Sequence, residues 1–131
     1  MTHHHAVVWL DHHEARVFAF NPDQTDRTVL HAHGQKGDNL RHNKGHLMGR
    51  KSPPDREFLH AIVDAVKDAP EILVVGPGSA KLELVKYVHE AAPRLADQIV
   101  GVETMDHPTD NQVVAHARAY FLRADRMLPQ R

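Results

Sequence analysis

The sequence predicts an α/β fold in which helices pack on a mixed five-stranded sheet, and two observations support this prediction. Three short runs rich in β-branched and aromatic residues, separated by polar turns, open the chain. After a long polar segment, continuous apolar runs alternate with segments whose apolar residues recur every three or four positions. The first pattern is typical of antiparallel hairpins and the second of β-α-β crossovers, so the sheet should contain both strand directions.

The first two predicted strands, HAVVWL at 5–10 and EARVFAF at 14–20, flank the short polar turn 11–13 and form a hairpin. In the second run, small or branched residues alternate with larger ones, which is typical of a half-buried strand. The two alternating sets are Ala15, Val17 and Ala19 against Arg16, Phe18 and Phe20. The turn-forming sequence NPDQTD at 21–26 then precedes a third strand, RTVLHAH at 27–33.

The first helix is predicted over 53–68. Ser52 would occupy the N-cap, Pro53 the first helical position and Asp55 the third, a combination typical of helix starts. Apolar residues then recur at helical spacing and predict the buried face: Phe58, Leu59, Ile62, Val63 and Val66.

A buried strand, EILVVG at 71–76, leads through the turn Gly76-Pro77-Gly78 into a second helix capped by Ser79. We expect this turn to be structural, with Gly78 in a backbone conformation that β-branched residues do not adopt. The buried stripe of the second helix is predicted to contain Leu82, Val85, Val88 and Ala92.

A fifth strand is predicted at 98–103, and Thr109 with Gln112 forms a capping box that opens a last helix ending near Asp125. The predicted inward residues of this helix are Val113, Ala117, Tyr120 and Phe121. The element order is therefore βββαβαβα, which is typical of a ribonuclease H-like mixed five-stranded sheet. No linker or repeat divides the chain, so residues 1–131 are predicted to form one domain.

Composition limits the chemistry that this chain can perform. It has no cysteine, so neither a disulfide nor a thiolate metal site is expected. No apolar run approaches the roughly 18 residues of a membrane span, and residues 1–20 lack the pattern of a signal peptide. We therefore expect a cytoplasmic protein that does not contact membranes and needs no cofactor. No pattern in the sequence specifies an oligomeric state.

Positive charge is concentrated in residues 34–54, which we interpret as a long basic loop. Its basic residues are Lys36, Arg41, Lys44, Arg50 and Lys51, against the single acidic residue Asp38. The loop therefore has a net charge of +4, which leaves −5 for the rest of the chain. Four glycines are expected to give it flexibility: Gly34, Gly37, Gly45 and Gly49. A flexible basic segment without aromatic residues suits phosphates and RNA shape, so the predicted partner is the ribosome or structured RNA and not DNA.

Histidines and carboxylates leave two alternatives open. His12, His13, His31 and His33 belong to neighbouring strands and turns, an arrangement that can place imidazoles around Zn²⁺ or Ni²⁺. A ribonuclease H-like fold can also host two-metal nucleases, for which Asp11 and either Glu57 or Asp64 would supply carboxylates. The fourth predicted strand ends in Gly76, where such a site needs another carboxylate, and this argues against cleavage.

The segment ILVVGPGSAKLELVKYV at 72–88 resembles the strand, Gly-Pro-Gly turn and helix in the middle domain of Pelota proteins and of archaeal and eukaryotic peptide release factors. SPPDREFLHAIVDAV at 52–66 is similar to the helix that follows a long loop in that family, and the resemblance covers residues from about 5 to 126. HAVVWLDHHEARVFAF at 5–20 also resembles stand-alone bacterial relatives described as translational machinery proteins. The resemblance implies a role in translation.

In release factors, the loop at this position carries Gly-Gly-Gln, which helps water attack the ester of peptidyl-tRNA. The corresponding stretch here is HGQKG, in which Gly34 and Gln35 match and His33 replaces the first glycine. The resemblance therefore favours a Pelota-like, non-enzymatic accessory of translation that binds RNA. Two alternatives remain at this point, a residual peptidyl-tRNA or ester hydrolase that uses Gln35, and a histidine-rich metal-binding protein.

Overall fold

The computed structural model describes residues 5–32 and 55–127. It contains five strands, β1 (His5–Leu10), β2 (Glu14–Phe20), β3 (Thr25–His31), β4 (Glu71–Gly76) and β5 (Ile99–Thr104). The helices in the described ranges are α1 (Arg56–Val66), α2 (Ala80–Ala91), the short α3 (Pro93–Ala96) and α4 (Asp110–Met127). Helix α3 was not predicted, and β3 begins and ends two residues earlier than expected. None of the helices in these ranges is both long enough and apolar enough to cross a membrane.

The strands form one sheet in the order β3-β2-β1-β4-β5. β2 pairs antiparallel with β1 and β3, whereas β4 pairs parallel with β1 and β5. This confirms the predicted mixed five-stranded sheet. Because β1, β3, β4 and β5 run in the same direction, their C-terminal ends lie at one edge of the sheet. We call this the carboxyl edge; it comprises residues 11–13, 31–32, 76–79 and 104–109.

Helices cover both faces of the sheet. In β1, Ala6, Val8 and Leu10 belong to the core formed with α1 and α2, whereas Val7 and Trp9 belong to the core formed with α4. β2 divides in the same way, with Val17 in the first core and Phe18 and Phe20 in the second. The prediction that β2 is half-buried was therefore wrong, because its larger residues face the C-terminal helix and not solvent.

Helix α1 begins later than predicted. Asp55 has an extended backbone, with φ −77° and ψ 98°, and its carboxylate accepts a hydrogen bond from the amide of Phe58. Asp55 is therefore the N-cap and not the third helical residue, and the helix runs from Arg56 to Val66. The proposed cap Ser52 and the proline after it lie outside the described residues. The buried face of α1 contains all five apolar residues predicted for it.

The two later long helices differ in how well the sequence predicted them. In α2 the buried residues are Ala80, Lys81, Leu84, Tyr87 and Val88, and of the predicted stripe only Val88 is fully buried. Leu82, a member of that stripe, is 58% exposed, and the Ser79 side chain makes no capping hydrogen bond. The capping box of α4 is confirmed, because the Thr109 amide donates to Gln112 (2.9 Å) and the Gln112 amide donates to Thr109 (3.1 Å).

A tryptophan and an arginine join the β5–α4 connection to the sheet. The buried indole Nε1 of Trp9 donates to the carbonyls of Met105 (3.1 Å) and Asp106 (2.9 Å). The guanidinium of Arg16 lies 4.4 Å from the centre of the same indole ring. Its Nη1 donates to the Pro108 carbonyl (3.1 Å) and to Asp110 Oδ1 (2.8 Å). The start of α4 is therefore fixed over β1 and β2 by hydrogen bonds as well as by apolar packing.

Of the two glycines in the β4–α2 turn, Gly76 is the one that the fold requires. A Cβ atom at Gly76 would lie 2.2 Å from the backbone carbonyl oxygen of Leu10, because β1 and β4 approach closely there. A Cβ atom at Gly78 would meet nothing within 4 Å, and the φ angle of Gly78 is outside the left-handed region. The expectation that Gly78 has a backbone conformation restricted to glycine was therefore wrong.

The surroundings of Gly76 and Gly78 predict effects of different size for two matched substitutions. Gly76→Ala should lower the free energy of unfolding by about 1–3 kcal/mol, because backbone atoms must move to admit the methyl group. Gly78→Ala should change it by less than about 1 kcal/mol and can raise it, because alanine restricts the unfolded chain. Urea denaturation of both variants measures the difference, and equal destabilisation would contradict the close approach of β1 and β4.

A second pair of substitutions tests the attachment of α4. Arg16 and Arg27 both contact the Asp110 carboxylate at 2.8 Å, but the Arg16 side chain is 14% exposed and the Arg27 side chain 55% exposed. Arg16→Met should lower the free energy of unfolding by about 2 kcal/mol or more, since it leaves the partly buried Asp110 carboxylate and the Pro108 carbonyl with fewer donors. Arg27→Met, the control, should cost at most about 1 kcal/mol. Thermal unfolding of both variants tests this order. A larger loss of stability for Arg27→Met than for Arg16→Met would contradict the prediction.

Candidate functional site

Both flanks of the predicted basic loop lie at the carboxyl edge. Ala32, which follows β3, is buried and donates its amide to the carbonyl of His13 in the β1–β2 turn (2.9 Å). On the other side, Asp55 caps α1. α1 ends close to the start of β4 at the opposite edge, so its first turn is directed toward the carboxyl edge. The described structure therefore places the attachment points of residues 33–54 at this edge.

The residues that the sequence singled out for RNA contact lie outside the described residues. These are the basic side chains Lys36, Arg41, Lys44, Arg50 and Lys51. The same holds for the glycines Gly34, Gly37, Gly45 and Gly49, and for His33 and Gln35. Their roles remain predictions, and the described residues contribute to the site through the surface next to them.

The described part of the molecule is acidic. Residues 5–32 and 55–127 contain 16 Asp and Glu side chains and 10 Lys and Arg side chains, which gives a net charge of −6 with neutral histidines. Three of the described basic side chains also have partners. Arg16 and Arg27 contact Asp110, and Arg118 donates to the Asn21 carbonyl and the Thr25 hydroxyl. The described surface therefore repels a polyanion, except where residues 34–54 supply positive charge.

Three exposed histidines at the carboxyl edge each face carboxylates. His12 Nε2 lies 3.2 Å from Glu83 Oε2 in the first turn of α2, and His31 Nε2 lies 3.6 Å from Glu14 Oε1. The third histidine, His107, follows β5. Its Nδ1 lies 3.0 Å from Asp106 Oδ1, and its Nε2 lies 4.0 Å from Asp11 Oδ2. The three imidazole side chains are 54%, 56% and 66% exposed.

Sequence reasoning missed the place of His107. The ring of His107 lies 5.4 Å from the Trp9 ring, centre to centre, and close to the Asp11 carboxylate. Trp9 belongs to β1, and Asp11 belongs to the turn that follows it. The one sequence feature that could have placed His107 at the carboxyl edge is its position directly after the fifth strand. Using that feature requires knowing that this strand runs parallel to β1, which the sequence does not give.

The structure does not gather the predicted metal-binding histidines into a site. His12 is directed at Glu83 on α2 and His31 at Glu14 on β2, while His33 is outside the described residues. Within residues 5–32 and 55–127, no group of three or more histidine, cysteine or acidic side chains has a geometry that would hold a metal ion.

The carboxylates considered for nuclease chemistry have structural partners. Asp11 Oδ1 accepts hydrogen bonds from the amides of His13 (2.8 Å) and Glu14 (2.9 Å), which closes the β1–β2 turn. Asp64, on the outer surface of α1, lies near His60 (3.6 Å) and Lys67 (3.8 Å). The arrangement of these described side chains supplies turn and surface contacts and gives no support for two-metal cleavage.

Comparison with known proteins identifies the fold. No protein-family model matches the sequence, and no curated protein matches it. Among solved structures, Archaeoglobus fulgidus Pelota matches with a TM-score of 0.61 at 13% identity, over 91% of this chain and 32% of that chain. Dom34 of S. cerevisiae matches with a TM-score of 0.54 at 15% identity, over 86% and 31%. The archaeal translation termination factor aRF1 matches with a TM-score of 0.53 at 13% identity, over 87% and 34%.

This chain therefore spans about a third of the length of the proteins that it matches. The matching part is their middle domain, as the resemblance of residues 72–88 predicted. The chain has the fold of the middle domain of Pelota and aRF1.

Proposed function

We propose that this protein is a non-enzymatic accessory of translation that binds the ribosome or structured RNA through residues 34–54. The observation that carries the proposal is the division of charge along the chain. The described residues have a net charge of −6, whereas residues 34–54 have a net charge of +4. A polyanionic partner is therefore attracted by one segment and repelled by most of the remaining surface.

The attachment of this segment supports the same function. On one side of it, Ala32 is held at the carboxyl edge by its hydrogen bond to the His13 carbonyl, and on the other side Asp55 caps α1. Phosphate contacts made by Lys36, Arg41, Lys44, Arg50 and Lys51 would accordingly be presented from one end of a rigid sheet. We assign the glycines of the segment the role of letting its backbone follow the RNA.

The structural neighbours support a role in translation without defining it. Dom34 is described as a translation termination-like factor that is involved in RNA quality control pathways and interacts with Hbs1. This chain matches about a third of Dom34, so an equivalent of Hbs1 is not part of the proposal. Hydrolysis by Gln35 is not part of it either, because a histidine at position 33 restricts the backbone where release factors have glycine. The proposed location is the cytoplasm, where ribosomes are found.

Removing two of the proposed phosphate contacts tests this function. If five contacts form, the slope of log affinity against log salt should be roughly −4, at about −0.7 to −0.9 per contact. Arg50→Ala combined with Lys51→Ala should reduce the magnitude of that slope by about 1.4–1.8 and weaken binding. Sedimentation with ribosomes across a salt series, followed by titration with a structured RNA, measures both quantities.

The matched control removes two exposed basic side chains from the helices, Lys86→Ala combined with Arg94→Ala. This variant loses the same charge and should keep the wild-type slope. Equal losses in the two double variants would mean that net charge and not residues 34–54 determines binding. Wild-type affinity in Arg50→Ala combined with Lys51→Ala would contradict the proposed function.

A further inference from the structure

The outer side of β5 is an open strand edge. β5 is the last strand of the sheet, and among the described residues only β4 pairs with it. The register against β4 shifts at the start of β5, and the pairing is then regular over residues 101–104. The unpaired amides and carbonyls of such an edge can bind a further strand.

The backbone of Val102 and Thr104 is directed to this open side. The Met105 amide, directly after β5, donates to the Gly76 carbonyl at the end of β4 (3.0 Å). Backbone groups of successive residues in a strand point alternately to its two sides. Glu103 therefore faces β4 with its amide and carbonyl, whereas Val102 and Thr104 present theirs outward.

The side chains of β5 leave this edge apolar. Val100 is 41% exposed and Val102 is 38% exposed. Val102 is paired with Val74 of β4, which is buried in the core formed with α1 and α2, so these helices do not cover the sheet fully at β5. Glu103 is the single charged residue of the strand, and its carboxylate lies 2.6 Å from His116 Nε2 on α4. No charged side chain of β5 therefore guards its outer side.

The other end strand, β3, differs in this respect. Its first four residues, 25–28, are exposed and include Asp26 and Arg27. Arg27 contacts the Asp110 carboxylate at 2.8 Å, and the Thr25 hydroxyl accepts a hydrogen bond from Arg118. Charged residues on an end strand are a common means of preventing strand-to-strand association. Of the two end strands, β5 is thus the one suited to pairing.

We propose that β5 pairs antiparallel with β5 of a second copy of this chain, about a two-fold axis at Val102. A two-fold contact uses the same patch on both copies, so it requires a strand that is complementary to itself. The net charge of the whole chain is −1, which gives little repulsion between copies. The two sheets of five strands would then form one continuous sheet.

The charges of β5 select this register. An axis at Val102 places Val102 opposite Val102 of the second copy, and Gly101 opposite Glu103. An axis at Glu103 would place two carboxylates directly opposite each other, which is destabilising. The Val100 carbonyl already accepts a hydrogen bond from the Tyr120 hydroxyl (3.1 Å), so the pairing depends mainly on Val102 and Thr104.

This association does not depend on the proposed function, but it has a consequence for it. Because the two β5 strands would run in opposite directions, the carboxyl edges of the two copies would point in opposite directions. Residues 34–54 of the two copies would accordingly contact separate sites on RNA.

Sedimentation equilibrium of the full chain over a wide concentration series tests the proposal. The wild type should change from a mass of 14.8 kDa toward twice that value as concentration rises. Val102→Lys should weaken the association at least about tenfold, because two lysines would meet at the axis. Leu122→Lys, the control, replaces an exposed apolar residue of α4 in the same way and should associate like the wild type. Thermal unfolding of both variants shows whether they fold.

A cross-linking experiment locates the contact without the lysine variant. The chain has no cysteine, so Val102→Cys introduces one thiol per copy. Hydrogen-bonded residues opposite each other in antiparallel strands have Cα atoms about 5.5 Å apart, which a disulfide can span. Under mild oxidation, Val102→Cys should form the covalent dimer at least about tenfold faster than Leu122→Cys.

Three outcomes would overturn the inference. The first is a wild type that remains monomeric at every concentration. The second is an equal loss of association in Val102→Lys and Leu122→Lys, which would indicate contact through exposed apolar residues in general. The third is equal rates of cross-linking for the two cysteine variants. None of these results bears on RNA binding, which the salt series tests separately.

Discussion

The parallel pairing of β1 with β4 is the interaction on which the rest of the structure depends. It joins the antiparallel N-terminal strands to the α/β second half, and both strands are buried on both faces. The strands approach so closely at their ends that a side chain at Gly76 would overlap the Leu10 carbonyl oxygen. This pairing also places the C-terminal ends of four strands together, so that the β1–β2 turn, the end of β3, the start of α2 and the start of α4 form one surface.

That surface explains how a small acidic domain can present a basic segment. The described residues have a net charge of −6, and Trp9, Arg16 and Asp110 hold the β5–α4 connection against the strands. Residues 34–54 are attached to this same edge through Ala32 and Asp55. In our account, the sheet and helices supply the base to which residues 34–54 are attached, and residues 34–54 supply the cations.

Local signals predicted much of the fold. The capping box at Thr109 and Gln112 and the apolar run of β4 depend on neighbouring residues, and both were predicted correctly. The start of α1 was predicted incorrectly. Ser52 and Asp55 are both good N-cap residues, and the sequence around them does not show which one caps the helix. The burial of Phe18 and Phe20 depends on a helix about 90 residues later, and the contact of His107 with Asp11 depends on strand order. Such contacts between distant residues leave no trace in local periodicity. The candidate RNA-binding segment could therefore be predicted from its composition, whereas the acidic side chains that the fold brings together beside it could not.

An NMR titration of the 14.8 kDa protein, labelled with ¹⁵N, with a structured RNA tests the central claim most directly. Backbone amide shifts report which residues the RNA contacts, independently of any substitution. The account predicts that the changes concentrate in residues 33–54 and at the carboxyl edge, with little change on the outer surface of α1. Changes centred on the helices, with residues 34–54 unaffected, would contradict it.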